Sequence, residues 1–296
     1  MTFAKGAFCS LLGTIIALLL LEATLRVITP FLPYQWAMLA VNGRDFGDAT
    51  TWDAELGYVL KGAFVREHRW HSGRLAARHL PFPGQERAGY RACPGSVPAE
   101  GVDILLLGDS VTQAREVDEA DSWPCRLAAP GLSVANLGVG GYGTTQEVAL
   151  FRRYGALLKP KAVLVTLVPN DPADNEIFDG WRRAVAAGTA RADGLSRFRF
   201  CAALGARKPS CGQFRVVGRL GTLPKLLVSR LLDALTFPRL APRSGSAGMS
   251  LLIRDLRELH ELLGARGVKL AVAMKNDWRK YFPASRSEIV SFLERE

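Results

Sequence analysis

With 296 residues, 48% of them hydrophobic, the chain is long enough to bury one substantial core and too short for several. Lysine and arginine number 38 against 28 aspartates and glutamates, a formal net charge of +10 that is mostly arginine and spread along the chain without a Lys/Arg block. No zinc-finger or RNA-binding signature accompanies it, so the charge describes an arginine-rich solvated surface, no nucleic-acid partner is expected, and attraction to an anionic membrane surface is compatible with it.

Residues 7–21 (AFCSLLGTIIALLLL) are almost unbroken apolar, preceded by Lys5 and followed by Glu22 and Arg26. Extended by residues 23–28 the run reaches spanning length, and no A-x-A-like cleavage site follows it directly. Residues 1–29 therefore read as an uncleaved transmembrane signal anchor. One lysine and the α-amine on its N-terminal side put the N-terminus inside, which leaves the rest of the chain periplasmic, on the outer side of an inner (cytoplasmic) membrane. Pro30 and Pro33 break the helix, and residues 30–101 form a connector and an irregular leader segment rich in Gly, Pro, Arg and aromatics. Irregular strands and loops laid on the main domain are expected there. His68, His71 and His79 fall in this stretch without further ligands at metal spacing and read as solvated or locally hydrogen-bonded.

Cys9 precedes the apolar run, where a lipoprotein cysteine would not be. Beyond the membrane, Cys93, Cys125, Cys201 and Cys211 permit disulfides. Cys201 with Cys211 would close a short loop, Cys125 stands equally well as a buried free thiol, and no Cys-x-x-Cys spacing suggests a metal.

From Val102 onward, over residues 102–296, strand and helix alternate. The run Val102-Asp103-Ile104-Leu105-Leu106-Leu107 stops on Gly108-Asp109-Ser110 and reads as a central parallel strand entering a tight turn. Residues 133–137 form a second strand, closed by Gly138-Val139-Gly140-Gly141-Tyr142-Gly143-Thr144. Apolar residues at helical spacing follow over 146–158. A third strand over 162–168 is halted by Pro169-Asn170-Asp171-Pro172. Between about 176 and 248 the order loosens, apart from a basic amphipathic stretch over 223–235 that reads as a helix packed on the core. Leu252, Leu256, Leu259 and Leu263 mark one face of a further helix that also carries His260, and residues 268–274 form a fourth strand. Repeated strand, turn and helix predict a parallel sheet covered on both faces.

Three polar or glycine-rich turns thus fall on one edge of the sheet, where open α/β sheets place their ligands. Acyl transfer needs a nucleophile and preorganised donors for a tetrahedral oxyanion. Ser110 offers a hydroxyl and its own N–H, a glycine near Gly141 allows close backbone approach, and the Asn170 amide can donate a further bond. The glycine turn lacks the Lys-Ser/Thr end of a P-loop and the spacing of a dinucleotide fingerprint, so no cofactor is implied.

In these three blocks, Leu107-Gly108-Asp109-Ser110, residues 136–144 and Val168-Pro169-Asn170-Asp171, the sequence resembles the SGNH (GDSL-type) hydrolase family, in its membrane-anchored bacterial branch. The resemblance implies a flavodoxin-like three-layer α/β/α fold with Ser110 as nucleophile, set on the turn of Gly108 and Asp109, and with Gly141 and Asn170 completing the oxyanion hole. Residues 53–58 and Gly89-Tyr90-Arg91 look like leader elements of that branch. The family's base, a His three residues after an Asp, is missing: the residues three before His68, His71, His79 and His260 are Val65, His68, Ala76 and Arg257. The last strand and this block are expected to be absent from a C-terminally incomplete chain.

The function so implied is an extracytoplasmic serine esterase or deacetylase acting on a small-molecule, glycan or lipid carboxyl ester. The alternatives are an O-acyltransferase of cell-envelope polysaccharide, and an inactive glycan- or lipid-binding module that keeps the pocket without the base.

Overall fold

The computed structural model describes residues 2–28, 31, 49–70, 73–94, 101–115, 117–128, 131–195, 246–275 and 289–291. The N-terminal run forms one helix, α1 (Thr2–Ile28). Leu18, Leu19, Leu20 and Leu21 are 44% to 64% exposed, and because four consecutive residues point to all sides of a helix, its surface there is apolar all round. Among the described residues, whose side chains in α1 begin at Ser10, no helix is long and apolar enough to cross a membrane. Of the anchor expected over residues 1–29, the fold retains the helix.

The leader departs from its expectation. It forms five regular strands: β1 (Thr50–Asp53) and β2 (Gly57–Leu60) make a small antiparallel ribbon, and β3 (Phe64–Trp70), β4 (Gly73–Phe82) and β5 (Gln85–Arg91) an antiparallel meander. The strand β3 carries Arg66, Glu67 and Arg69 and shows no apolar alternation because it lies at the edge of a sheet, where charge is tolerated and discourages further pairing.

The apolar run after Val102 becomes β6 (Ile104–Gly108), followed by the single-turn helices α2 (Ser110–Gln113) and α3 (Trp123–Arg126), then β7 (Val134–Asn136). Next come α4 (Thr144–Arg153) with a 3-10 turn over Gly155–Leu158, β8 (Ala162–Leu167), α5 (Asp171–Ala186), α6 (Ser246–Gly264) and β9 (Lys269–Met274). β7, β6, β8 and β9 pair in parallel, and Arg91 of β5 pairs antiparallel with Asn136 of β7. One seven-stranded sheet results, in the order β3-β4-β5-β7-β6-β8-β9. The fold is α/β, but the sheet is mixed, since the leader continues it instead of lying over it.

Alternation along β6 splits the core. Leu105 and Leu107 join Val163, Val165 and Leu167 of β8 and the leucines of α6 in the main cluster, while Leu106 joins Cys93, Cys125 and Val134 in another. Each such buried side chain contributes about 1.5–3 kcal/mol. The second cluster contains a disulfide, Cys93–Cys125, so Cys125 is not a free thiol. Its 32-residue separation encloses β6 and α2, and in the loop-entropy account such a closure contributes about 3–4 kcal/mol. Cys201, Cys211 and the helix expected over 223–235 lie outside the described residues.

A helix stands where loosened order was expected. The buried residues of α5 include Asp171, Asp174, Asn175, Phe178 and Trp181. That spacing is helical, but the first three are polar, so no apolar stripe announces it. Pro172 falls in the first turn, where its missing N–H costs no hydrogen bond.

Candidate active site

The turn that carries Ser110 is built by close packing. A Cβ on Gly108 would lie 2.0 Å from Thr112 Oγ1, so only glycine lets the chain fold back there. Asp109 accepts from the Val111 N–H at 2.8 Å and so caps α2, with Ser110 as that helix's first residue. The turn's exit is held by Arg91, a residue 1% exposed whose guanidinium donates to the carbonyls of Gln113, Ala114 and Val117. The adjacency of β5 and β7 gives Arg91 this reach.

The glycine turn is stitched to the Ser110 turn. Asn136 Nδ2 donates to the Thr112 carbonyl at 2.8 Å, Val139 N–H to the Gly108 carbonyl at 3.0 Å, and Gly140 N–H to Gln113 Oε1 at 2.9 Å. The leader buttresses it from the other side: Tyr58 Oη donates to the Gly140 carbonyl at 2.9 Å, and Tyr142 Oη donates to the Tyr58 carbonyl. A Cβ on Gly140 would lie 3.6 Å from Ser110 Cβ. Gly141 takes φ +83°, and no described residue accepts its N–H.

Asn170 sits beyond the end of β8, next to β6, and reaches back to the same turn. Its Nδ2 donates to Asp109 Oδ2 at 3.2 Å and to Asp174 Oδ2 at 2.9 Å. Ser110 Oγ donates to the same Asp109 oxygen at 3.3 Å. Thus Ser110, Gly141 and Asn170, from three separate stretches, meet on the C-terminal edge of adjacent parallel strands, all half-buried and open to solvent. Both amide protons of Asn170 point at carboxylates, so an oxyanion role for it requires the longer contact, to Asp109, to give way.

Behind this edge lie two buried carboxyls, one of them, Asp171, the last residue of the third block and the other, Glu147, outside any motif. Glu147 of α4 and Asp171 of α5 are fully buried, and both Glu147 oxygens and Asp171 Oδ1 have no partner among the described residues. Burial, and then the charges of Asp109, Asp255 and Asp174, push the Glu147 carboxyl well above its ordinary range. Burial, and then the charges of Glu147 and Asp109, do the same for Asp171. No group of three or more His, Cys, Asp or Glu among the described residues is arranged to hold a metal ion.

Beside Gly140 a cavity of about 170 Å³ opens, lined by Arg66, His79, Arg91, Gln113 and Arg115 among others. His79 is buried against Phe64, and its Nδ1 donates to the Lys61 carbonyl at 3.2 Å. Burial above all, with the charges of Arg91 and Arg66, lowers its pKa to about 4, so the ring is neutral at neutral pH. The local hydrogen bond agrees with the reading of His79; the side chains of His68 and His71 lie outside the described residues, and His260 is half-buried on α6.

Compared with known protein families and with curated proteins, the chain matches none. What sequence reasoning missed is Arg91 as the clamp of the Ser110 turn, Tyr58 as the prop of the glycine turn, the buried Glu147, and the burial of Asp171, which the third block names without a role. The first two sit inside the leader elements already singled out. For Glu147 the one available signal was an acidic residue in the first turn of a helix, which is too common to single it out.

Proposed function

We propose that this protein is a serine hydrolase of carboxyl esters, of the SGNH (GDSL) type, in which Ser110 is the nucleophile. The observation that carries the reading is the convergence of three turns far apart in sequence, with Asn170 and Ser110 sharing one Asp109 oxygen at 3.2 and 3.3 Å and the glycine turn packed on the Ser110 side chain. The order of the parallel strands, second, first, third, fourth along the chain, supports a flavodoxin-like arrangement.

In this mechanism Ser110 Oγ attacks the ester carbonyl carbon while its proton passes to a base. The carbonyl oxygen becomes an oxyanion, received by the N–H groups of Ser110 and Gly141 and by Asn170 Nδ2. Collapse expels the alcohol with a proton, and water then releases the acid from the acyl-serine. Among the described residues, Asp109 is the one hydrogen-bond partner of the Ser110 hydroxyl. A histidine base is what the mechanism requires in addition. The apolar all-round surface of α1 supports a second element of the reading, a membrane tether, and Lys5 with the α-amine before the apolar run is the support for a periplasmic sheet domain.

The test is hydrolysis of p-nitrophenyl acetate by the natural protein beside its Ser110→Ala variant. The expected result is turnover that falls to background in the variant, and by about 10²–10³ in Asn170→Ala, as for loss of one oxyanion donor. Equal turnover by Ser110→Ala overturns the reading.

A further inference from the structure

The cavity beside the glycine turn is not used by the chemistry above, and its lining is unusual. Arg66, Arg91 and Arg115 all face it, with no carboxylate among the described lining residues. Arg91 is buried and donates to the carbonyls of Gln113 and Val117. Arg66 Nε is buried and has no acceptor among the described residues. His79 contributes a neutral ring to the wall. Three guanidinium groups around one small concave space give it many N–H donors on cationic side chains, the setting in which an oxyanion accepts charge-assisted hydrogen bonds.

The cavity is also placed to act on the same molecule as Ser110. Gln113 and Gly140 form the wall that the two sites share. A Cβ on Gly140 would lie 3.6 Å from Arg115 Nη1 and 3.6 Å from Ser110 Cβ, so the guanidinium and the nucleophile flank one glycine. We propose that this cavity binds an oxyanion group, a carboxylate, sulfate or phosphate, carried by the alcohol or acyl portion of the ester whose carbonyl Ser110 attacks. The proposal deepens the esterase reading and rests on it for the identity of the bound molecule as substrate. The anion site itself stands on the three arginines.

The experiment separates the two. Binding of methyl β-D-glucuronide, methyl β-D-glucoside, inorganic sulfate and inorganic phosphate to the purified chain is measured by titration calorimetry. The expected result is saturable binding of the glucuronide or of an inorganic anion, at least about tenfold tighter than the neutral glucoside. Arg66→Gln and Arg115→Gln should each weaken it by about tenfold or more, the scale of one charge-assisted hydrogen bond. Arg115→Lys should recover part of that loss, and circular dichroism verifies that each variant is folded. Glucuronide preferred over the inorganic ions points to an acidic sugar or other carboxylate, and the reverse to a sulfated or phosphorylated one. Equal affinity for glucuronide and glucoside, no saturation by about 100 mM anion, or unchanged anion binding in both folded glutamine variants overturns the proposal. Ser110→Ala leaves the anion affinity unchanged, so a failed esterase assay with intact anion binding overturns only the catalytic reading. Turnover without anion binding overturns only the cavity.

Discussion

His79 and Glu147 are buried titratable groups pushed in opposite senses, which gives the fold two distinct pH limbs. The His79 pKa is about 4 in the folded protein against 6.5 when solvated, so the unfolded chain binds the proton more readily between those values. Its contribution is present above pH 6.5 and is lost as pH falls through 4, to the extent of about 3 kcal/mol. In urea titrations, His79→Gln should flatten the acid limb between pH 6.5 and 4; an unaltered slope there contradicts the assignment. Glu147 has the other sign. Its folded-state pKa is raised, chiefly by burial, so its contribution is complete below the ordinary glutamate range and is lost as pH rises through the folded value. Glu147→Gln removes the need to ionise. The variant should lose less stability than the natural protein between pH 5 and pH 8, and parallel pH profiles for the two would refute this account.

At the scale of elements, the candidate site is a junction between the Ser110 turn and the glycine turn, and glycines set their separation. A Cβ at Gly138 would lie 2.3 Å from the Gln113 nitrogen and 2.6 Å from the Thr112 carbonyl carbon, both backbone atoms that cannot swing aside. Gly138→Ala must therefore push α2 away from the end of β7. It should cost about 2–3 kcal/mol or more of unfolding free energy. Gly264→Ala, where a Cβ meets nothing within 4 Å, is the control and should be near neutral. Comparable stability of the two variants in denaturant titrations would show that the packing is looser than described. The elements around this junction differ in how openly the sequence announces them. Strands β6 and β8 are continuous apolar runs because both faces are buried, and the leucine stripe of α6 has helical period because one face of that helix is buried. The helix α5 stayed hidden because it buries carboxyls and an amide toward the site, and β3 because an edge strand buries too little to need alternation.

For the molecule as a whole, the blocks around Ser110, Gly141 and Asn170 were legible because each ends a strand, and parallel pairing of those strands carries them to one edge. What one-dimensional spacing does not carry is the lateral order of strands. Nothing in the leader's composition says that β5 will pair with β7, yet this pairing puts Arg91 behind the Ser110 turn and, with β3 and β4, walls the arginine-lined cavity. The disulfide was hidden likewise, since Cys93 and Cys125 become neighbours only once the leader and the first parallel strands share a sheet. The leader is therefore as much a part of the site as the three motif turns.

The most direct test of the central claim is to treat the natural protein with a fluorophosphonate, which labels activated serine nucleophiles, and to locate the adduct by peptide mass spectrometry. The account predicts a single adduct on Ser110, absent from Ser110→Ala and reduced by an ester substrate added in excess. An adduct on a different residue that accompanies loss of ester turnover, or full turnover with Ser110 unlabelled, would contradict it.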